Sequence, residues 1–399
     1  MAGGSISGLR RRNRDIVLRT IASGKPLSRS QIASHTGLTG AAVSRITREL
    51  IEVGLVNEGA AIPLKGKVGR RNIRLELGDK GAFILGIALT ANVRSVSIGN
   101  SRGEIVSQRK VAGLDMENPR KAISQLTAAA RELIDETEFD ASRLVGCGVS
   151  VAGVANPDTG DLIRADPLGW DALPLGSEFS QRLGLRVQVE ARPIALLMAE
   201  FWGGAAAGLK NIMLISNGIW AGGAIMLDGV MLRGQNNMVG QIPHLTVQGN
   251  NTLCACGRRG CINAVASGAA VLKELENFQL PGVARRLEPG DRLQSLAELR
   301  GPQFSKIGAA FRNAGRQMGY AVDQIFSILD PELLLLAGTA GRHPEYIAGI
   351  HDTLVHLRPG QQGWPIKASK VSSDQSAIWL GLNAFVYSQS LDLSQLRVA

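Results

Sequence analysis

Nine of the ten excess positive charges of this 399-residue chain fall within its first 78 residues, where 14 Lys and Arg face 5 Asp and Glu; the remaining 321 residues hold 30 against 29. This partition predicts a small basic head on a larger neutral body, because a dense basic segment resists burial in a shared core, and the remainder is long enough to bury cores of its own. The head suits a polyanion, and the body has the charge balance of an ordinary enzyme or sensor. At this length two or three domains are expected. No apolar run approaches the ~20 residues that span a bilayer. The basic start, MAGGSISGLRRRNRD, leads into no apolar run and does not read as a secretory signal. The expectation is a cytoplasmic protein that does not engage a membrane.

Within the head, residues 8–24 place Ile16, Val17, Leu18, Ile21 and Ala22 at helical spacing, and Gly24 ends the helix. A short helix follows over about Arg29–His35, N-capped by Ser28, with a turn at Gly37. A longer one is capped by Thr39 and stopped by Gly54. This order is a helix-turn-helix, whose second helix is the one such motifs insert in the DNA major groove. Ala33, Leu38, Val43, Ile46 and Leu50 supply an apolar face for packing. Thr39, Gly40, Ala41, Ser44, Arg45 and Arg48 lie toward the outer, entering end, where small residues permit close approach and Arg45 can reach a guanine edge or a phosphate. The next segment, LVNEGAAIPLKGKVGRRNIRLEL, reads as two strands around a slender tip, the form of a wing. Lys65, Lys67, Arg70 and Arg71 are spaced there to straddle a backbone or enter a minor groove.

From Gly81 onward strand-like and helix-like segments alternate, an α/β pattern in two similar halves. The expected organisation is a winged head over 1–78, a first lobe over 79–190 completed by a C-terminal helix at about 374–391, and a second lobe over 191–373. The second half contains HLTVQGNNTLCACGRRGC, which gathers three of the four cysteines and one of the five histidines. Thiolate and imidazole suit Zn²⁺, and four such ligands without a spare position make a structural site. His244, Cys254, Cys256 and Cys261 would fill the tetrahedron. A metal-free Gly-rich loop and a disulfide stay open on the residues alone, the latter disfavoured because Cys147 lies far off in an apolar run.

The cysteine loop, the segment GCGVSVAGVANPDTG and the order of elements resemble the ROK family of bacterial repressors and sugar kinases, over essentially the whole chain. The winged head is similar to that of the family's regulators. The resemblance implies a two-lobed, actin-like sugar-kinase fold, a structural zinc on the His and three Cys, and a sugar pocket beside it. It also implies that the kinase machinery is lost. The phosphate loop, roughly Asp-x-Gly-Gly-Thr in the kinases, reads ALTAN here, Ala88 to Asn92. The second Gly-rich turn reads NGIWAGG, with Trp220 where a small residue admits phosphate. The catalytic Asn-Asp pair becomes Ala191 and Arg192, and arginine stays protonated and cannot act as a base.

The family's sugar contacts map onto Ala191 with Arg192, Gln241, His244 and Asn263, with Gly153 and Asn156 in the adjoining strand-turn segment. Carboxylates suit the hydroxyls of a neutral sugar, whereas Arg and carboxamides suit an anion. The sequence therefore leads to the expectation of a non-enzymatic DNA-binding regulator, a repressor. It would be a homodimer or homotetramer on a double-stranded operator and respond to a carbohydrate-related effector, acidic or phosphorylated. A sugar kinase carrying a DNA-binding head and a ligand-blind scaffold are the alternatives.

Overall fold

Ser28 opens the helix Arg29–Thr36 by accepting the Gln31 N–H, and Gln31 returns a bond to the Ser28 N–H, which completes a capping box. Gly37 ends that helix at φ 69°, a left-handed turn that favours glycine, and Thr39 opens the helix Gly40–Glu52 by accepting the Ala42 N–H. The helix Ile6–Ala22 precedes this pair. Strands Val56–Ile62 and Asn72–Leu77 follow it as an antiparallel wing, to which Leu27–Ser28 adds a third strand. Val17, Leu18, Ile32, Val43, Ile46 and Leu50 form the buried seam. Ala33 and Leu38, expected in that seam, are only half-buried: on the short helix Ile32 is the residue turned inward, and Leu38 lies in the turn after it.

The computed structural model describes residues 6–24, 27–62, 72–276, 287–361 and 363–396. Two compact units are present: Met1–Leu89 with Val93–Gly203 and Ser372–Ala399, and Thr90–Asn92 with Gly204–Val371. Each carries a five-stranded sheet of one topology. In the first, Phe83–Leu89, Arg94–Asn100 and Ile105–Lys110 are successive antiparallel strands. Leu144–Val151 and Val187–Ala191 then add in parallel on the other side of Phe83–Leu89. In the second, Ile212–Asn217, Ala221–Leu227 and Val230–Met231 play the first three parts, and Leu333–Ala337 and Ile366–Ala368 the parallel two. Parallel neighbours require crossovers. The helices Pro119–Glu136 and Leu175–Leu183 serve in the first unit, Ser305–Leu329 and Pro344–Leu357 in the second. No helix among the described residues is long and apolar enough to cross a membrane.

The lobe boundary expected at 190/191 falls at 203/204 instead. Val187–Ala191 completes the first sheet, with Val189 opposite Val149, and the helix Arg192–Gly203 that it leads into belongs to the same unit. Periodicity reveals a strand and a helix there but not which sheet edge the strand joins. The C-terminal helix does return to the first unit, as Ser373–Gly381 continued by a π-helical turn, Leu382–Val386. It lies directly on the sheet: a Cβ at Gly148 would stand 2.1 Å from the Ala377 carbonyl oxygen. The head, expected as a separate domain, forms one compact unit with the first lobe.

In the second unit, His343 stacks on Phe311 with ring centroids 3.9 Å apart and caps the helix Pro344–Leu357 by accepting the Glu345 N–H. Burial, aided by the charge of Arg300, pushes its pKa down to about 4. The unfolded chain, with a histidine near pKa 6.5, therefore takes up the proton first. This contribution is fully present above the unfolded value and is lost as pH falls through the folded one. His343→Asn keeps a capping acceptor without the titration. Its unfolding free energy, read from urea titrations, should fall less than that of the native protein between pH about 7 and about 4, by at most about 3 kcal/mol. Equal pH dependence in the two proteins would remove His343 from the account.

Candidate functional site

The outer end of Gly40–Glu52 is open to solvent. Thr39, Gly40, Ala41, Arg45 and Arg48 are exposed and Ser44 is half-exposed, while Val43, Ile46, Thr47 and Leu50 turn inward. Other head arginines are engaged inside the protein. Arg10 pairs with Glu49 at 2.9 Å, and Arg29 pairs with Glu58 at 2.8 Å and donates to the buried Thr47 hydroxyl at 3.0 Å. Part of the head's basic charge is thus held in ion pairs, while Arg45 and Arg48, like Arg11 and Arg12, are exposed. Lys65, Lys67, Arg70 and Arg71, expected at the wing tip, lie outside the described residues.

His244, Cys254, Cys256 and Cys261 come together, with their ligand atoms all within 4.8 Å of one another. A short ladder pre-shapes the loop. Val247 N–H donates to Gly260 C=O, Gly260 N–H to Thr252 C=O, and Cys254 N–H to Arg258 C=O. Cys256 and Cys261 sulfurs stand 3.7 Å apart, too far for a disulfide. Two sulfurs each about 2.3 Å from a tetrahedral ion would be separated by about 3.8 Å. Nδ1 of His244 is buried with no hydrogen-bond partner among the described residues, as suits a group kept for a metal. Hydrogen bonds from Arg258 lower the Cys256 thiol to about 6, whereas burial raises Cys261 to about 12. The ligand spacing does not reveal this contact of Arg258, although the CGRRGC run places a cation among the thiols. Cys147 lies in the first unit on the strand Leu144–Val151, fully buried, and takes no part.

The remaining candidates divide between the units. In the first, Arg192 is half-buried at the start of its helix, and its Nε donates to the Ser373 hydroxyl at 3.2 Å. Asn156 uses Oδ1 to accept the Asp158 N–H at 3.0 Å, making its own turn. Gly153 faces the Arg164 carbonyl so closely that a Cβ would stand 2.6 Å from it. Ala88 is buried at the end of the strand Phe83–Leu89. In the second unit, Gln241 is exposed before the one-turn helix Ile242–His244. Asn263 uses Oδ1 to accept the Ala221 N–H at 3.1 Å. That bond and the Gly218 N–H to Trp220 C=O bond of 3.2 Å consume two amides of the NGIWAGG turn, the kind of donor a phosphate-binding loop offers to its ligand. Trp220 itself is 41% exposed.

A model of the ROK family matches residues 84–387, and a model of the IclR helix-turn-helix domain matches residues 17–59. A xylose repressor of Caldicellulosiruptor bescii is 25% identical over 393 residues, which cover 97% of this chain and 98% of that protein. A solved ROK family transcriptional regulator, homologous to the Escherichia coli MLC protein, is 22% identical with a TM-score of 0.74, over 98% of this chain and 99% of its own. A ROK family glucokinase from Streptomyces griseus, in complex with glucose and AMPPNP, is 21% identical with a TM-score of 0.63, over 75% of this chain and 98% of its own. At these identities the structural likeness is one of fold: a winged helix-turn-helix followed by an actin-like α/β body.

Proposed function

Because this chain belongs to the ROK family, we propose that it is a DNA-binding transcriptional repressor whose body responds to a carbohydrate-related effector and has no kinase activity. The observation that carries the reading is the N-capped helix Gly40–Glu52, with one face exposed, joined to a ROK body in which two amides of the NGIWAGG turn are spent internally. The xylose repressor at 25% identity across almost the whole chain supports sugar-linked repression. Arg192, in place of the residue that serves as base in the kinases, supports the absence of phosphoryl transfer. His244, Cys254, Cys256 and Cys261 would hold zinc, which supplies a closed structural crosslink with no position for a reacting water. The protein is cytoplasmic and acts as a homodimer or homotetramer, since paired heads match a two-fold operator. An effector that binds one arrangement of the body better than another changes operator affinity by linkage.

The effector class is an acidic or phosphorylated sugar, read from Arg192, Gln241 and Asn263. Calorimetry of the native protein and Arg192→Ala against matched neutral, carboxylated and phosphorylated sugars tests it. A charge-assisted hydrogen bond is worth about 1.5–3 kcal/mol, so the variant should bind the anionic sugar roughly 10- to 150-fold more weakly. Equal binding by the two proteins rejects the anion. The internal bonds of Asn156, Asn263 and Arg192 favour a second reading, in which the body is a ligand-blind scaffold. Under that reading no sugar shifts the melting temperature.

A further inference from the structure

The helix Gly40–Glu52 ends without a basic residue in its last turn, so its own sequence leaves the negative end of the helix dipole uncompensated. The first lobe supplies the missing cation. Arg143, on the one-turn helix Ala141–Arg143, donates from Nη1 to the carbonyl of Val53, the C-cap residue, at 2.7 Å. The same nitrogen reaches the Gly81 and Lys80 carbonyls at 3.2 and 3.3 Å, and Nε meets the Asp140 carboxylate at 3.3 Å. The side chain is only 14% exposed. Around it the backbone is packed to glycine tolerance: a Cβ at Gly78 would stand 1.9 Å from the Gly54 carbonyl oxygen, and one at Gly81 would stand 2.5 Å from the Leu55 nitrogen.

A second set of contacts grips the head from its first helix. Arg14 donates to the Leu391 carbonyl, Arg19 donates to Asn383 Oδ1 at 3.2 Å, and the Arg19 guanidinium lies 5.2 Å from the Trp202 ring centre. The head is therefore held by both the lobe and the C-terminal segment. Three arginines make these contacts, and two of them are head cations that charge alone would assign to DNA.

We propose that Arg143 is a positioning residue for DNA recognition, fixing the C-terminal end of helix Gly40–Glu52 to the first lobe so that the reading end moves with the lobe. The inference rests on the DNA-reading assignment above. Lever length is the physical argument. Thirteen residues span about 20 Å, so a tilt of about 10° at the Val53 end displaces Gly40 by about 3 Å. Hydrogen bonds to base edges do not survive such a shift. Arg143 need touch no nucleotide to matter.

The probe is the duplex that the native protein enriches from a random-sequence pool, with a shuffled duplex of equal length as reference. Arg143→Ala should bind the enriched duplex roughly tenfold more weakly. Its affinity for the shuffled duplex and its salt slope should match the native protein, because no phosphate contact is lost. Arg143→Lys keeps the charge on a single nitrogen but loses the separate Nε contact with Asp140, and should fall between. An unchanged ratio of enriched to shuffled affinity overturns the proposal. So does an equal loss on both duplexes with a shallower salt slope, which would mark Arg143 as a phosphate contact. If Arg143→Ala does not melt cooperatively, Arg143→Lys decides: native melting with a reduced ratio supports the proposal, and an undiminished ratio ends it. If the native protein enriches no sequence, the DNA-reading assignment itself fails and takes this inference with it.

Discussion

Cys256→Ser is expected to empty the metal site and to destabilise the second unit by about 4 kcal/mol or more. Elemental analysis of protein purified without added metal should find about one zinc per chain in the native form, and little in the variant. The choice of cysteine makes the result interpretable. Cys256 is exposed whereas Cys254 and Cys261 are buried, so a serine there disturbs no core packing, and any loss of stability reports the lost metal. Without the ion the His244 Nδ1 is left buried and unsatisfied, and the loop retains its short ladder and a few side-chain bonds. Cys147→Ser is the control. It alters a fully buried thiol on the strand Leu144–Val151 of the other unit and should leave the zinc content unchanged. Native protein that carries no zinc and melts normally would sink the assignment.

The parts that were legible in the sequence are those whose physics is local. Ser28, Thr39 and Gly37 mark helix ends because capping and left-handed turns need only neighbouring backbone, and all three do so in the structure. Four soft ligands within eighteen residues are local as well, and the chain brings them together. What escaped is set by pairing across long separations. Nothing in VQVEA states that it will join the free edge of Leu144–Val151 rather than open a second lobe. Nothing in a lone Arg143 announces three carbonyl partners some sixty to ninety residues earlier in the chain. The polar residues expected to contact an effector show the same limit. The family resemblance places Asn263 at an effector contact and Asn156 beside it, and the Oδ1 of each accepts a backbone N–H, because an amide is equally suited to holding a turn.

Arg45→Ala is expected to weaken binding to the preferred duplex by about 1–3 kcal/mol, roughly 5- to 150-fold, with the loss concentrated at one base position. Arg45 lies on the second turn of Gly40–Glu52, exposed, on the face opposite the Val43, Ile46 and Leu50 seam. Gly40, Ala41 and Ser44 beside it are small enough to let the helix enter a groove. Two nearby cations, Arg10 and Arg29, are held by Glu49 and Glu58, which leaves Arg45 and Arg48 exposed on the helix. A guanidinium in that place can present two parallel donors to a guanine edge, which no other base matches. Specificity, not charge, is therefore the quantity at stake. The native protein and the variant should be compared on all four bases at each position of the preferred duplex. Arg45→Ala should flatten the preference at one position and leave the others intact. Arg71→Ala, a wing-tip change expected from the sequence to remove a backbone contact, should weaken every duplex evenly and make the salt dependence shallower. Identical effects from the two substitutions would mean that Arg45 contacts phosphate, and base reading would then have to come from the small residues of the helix or from the shape of the DNA.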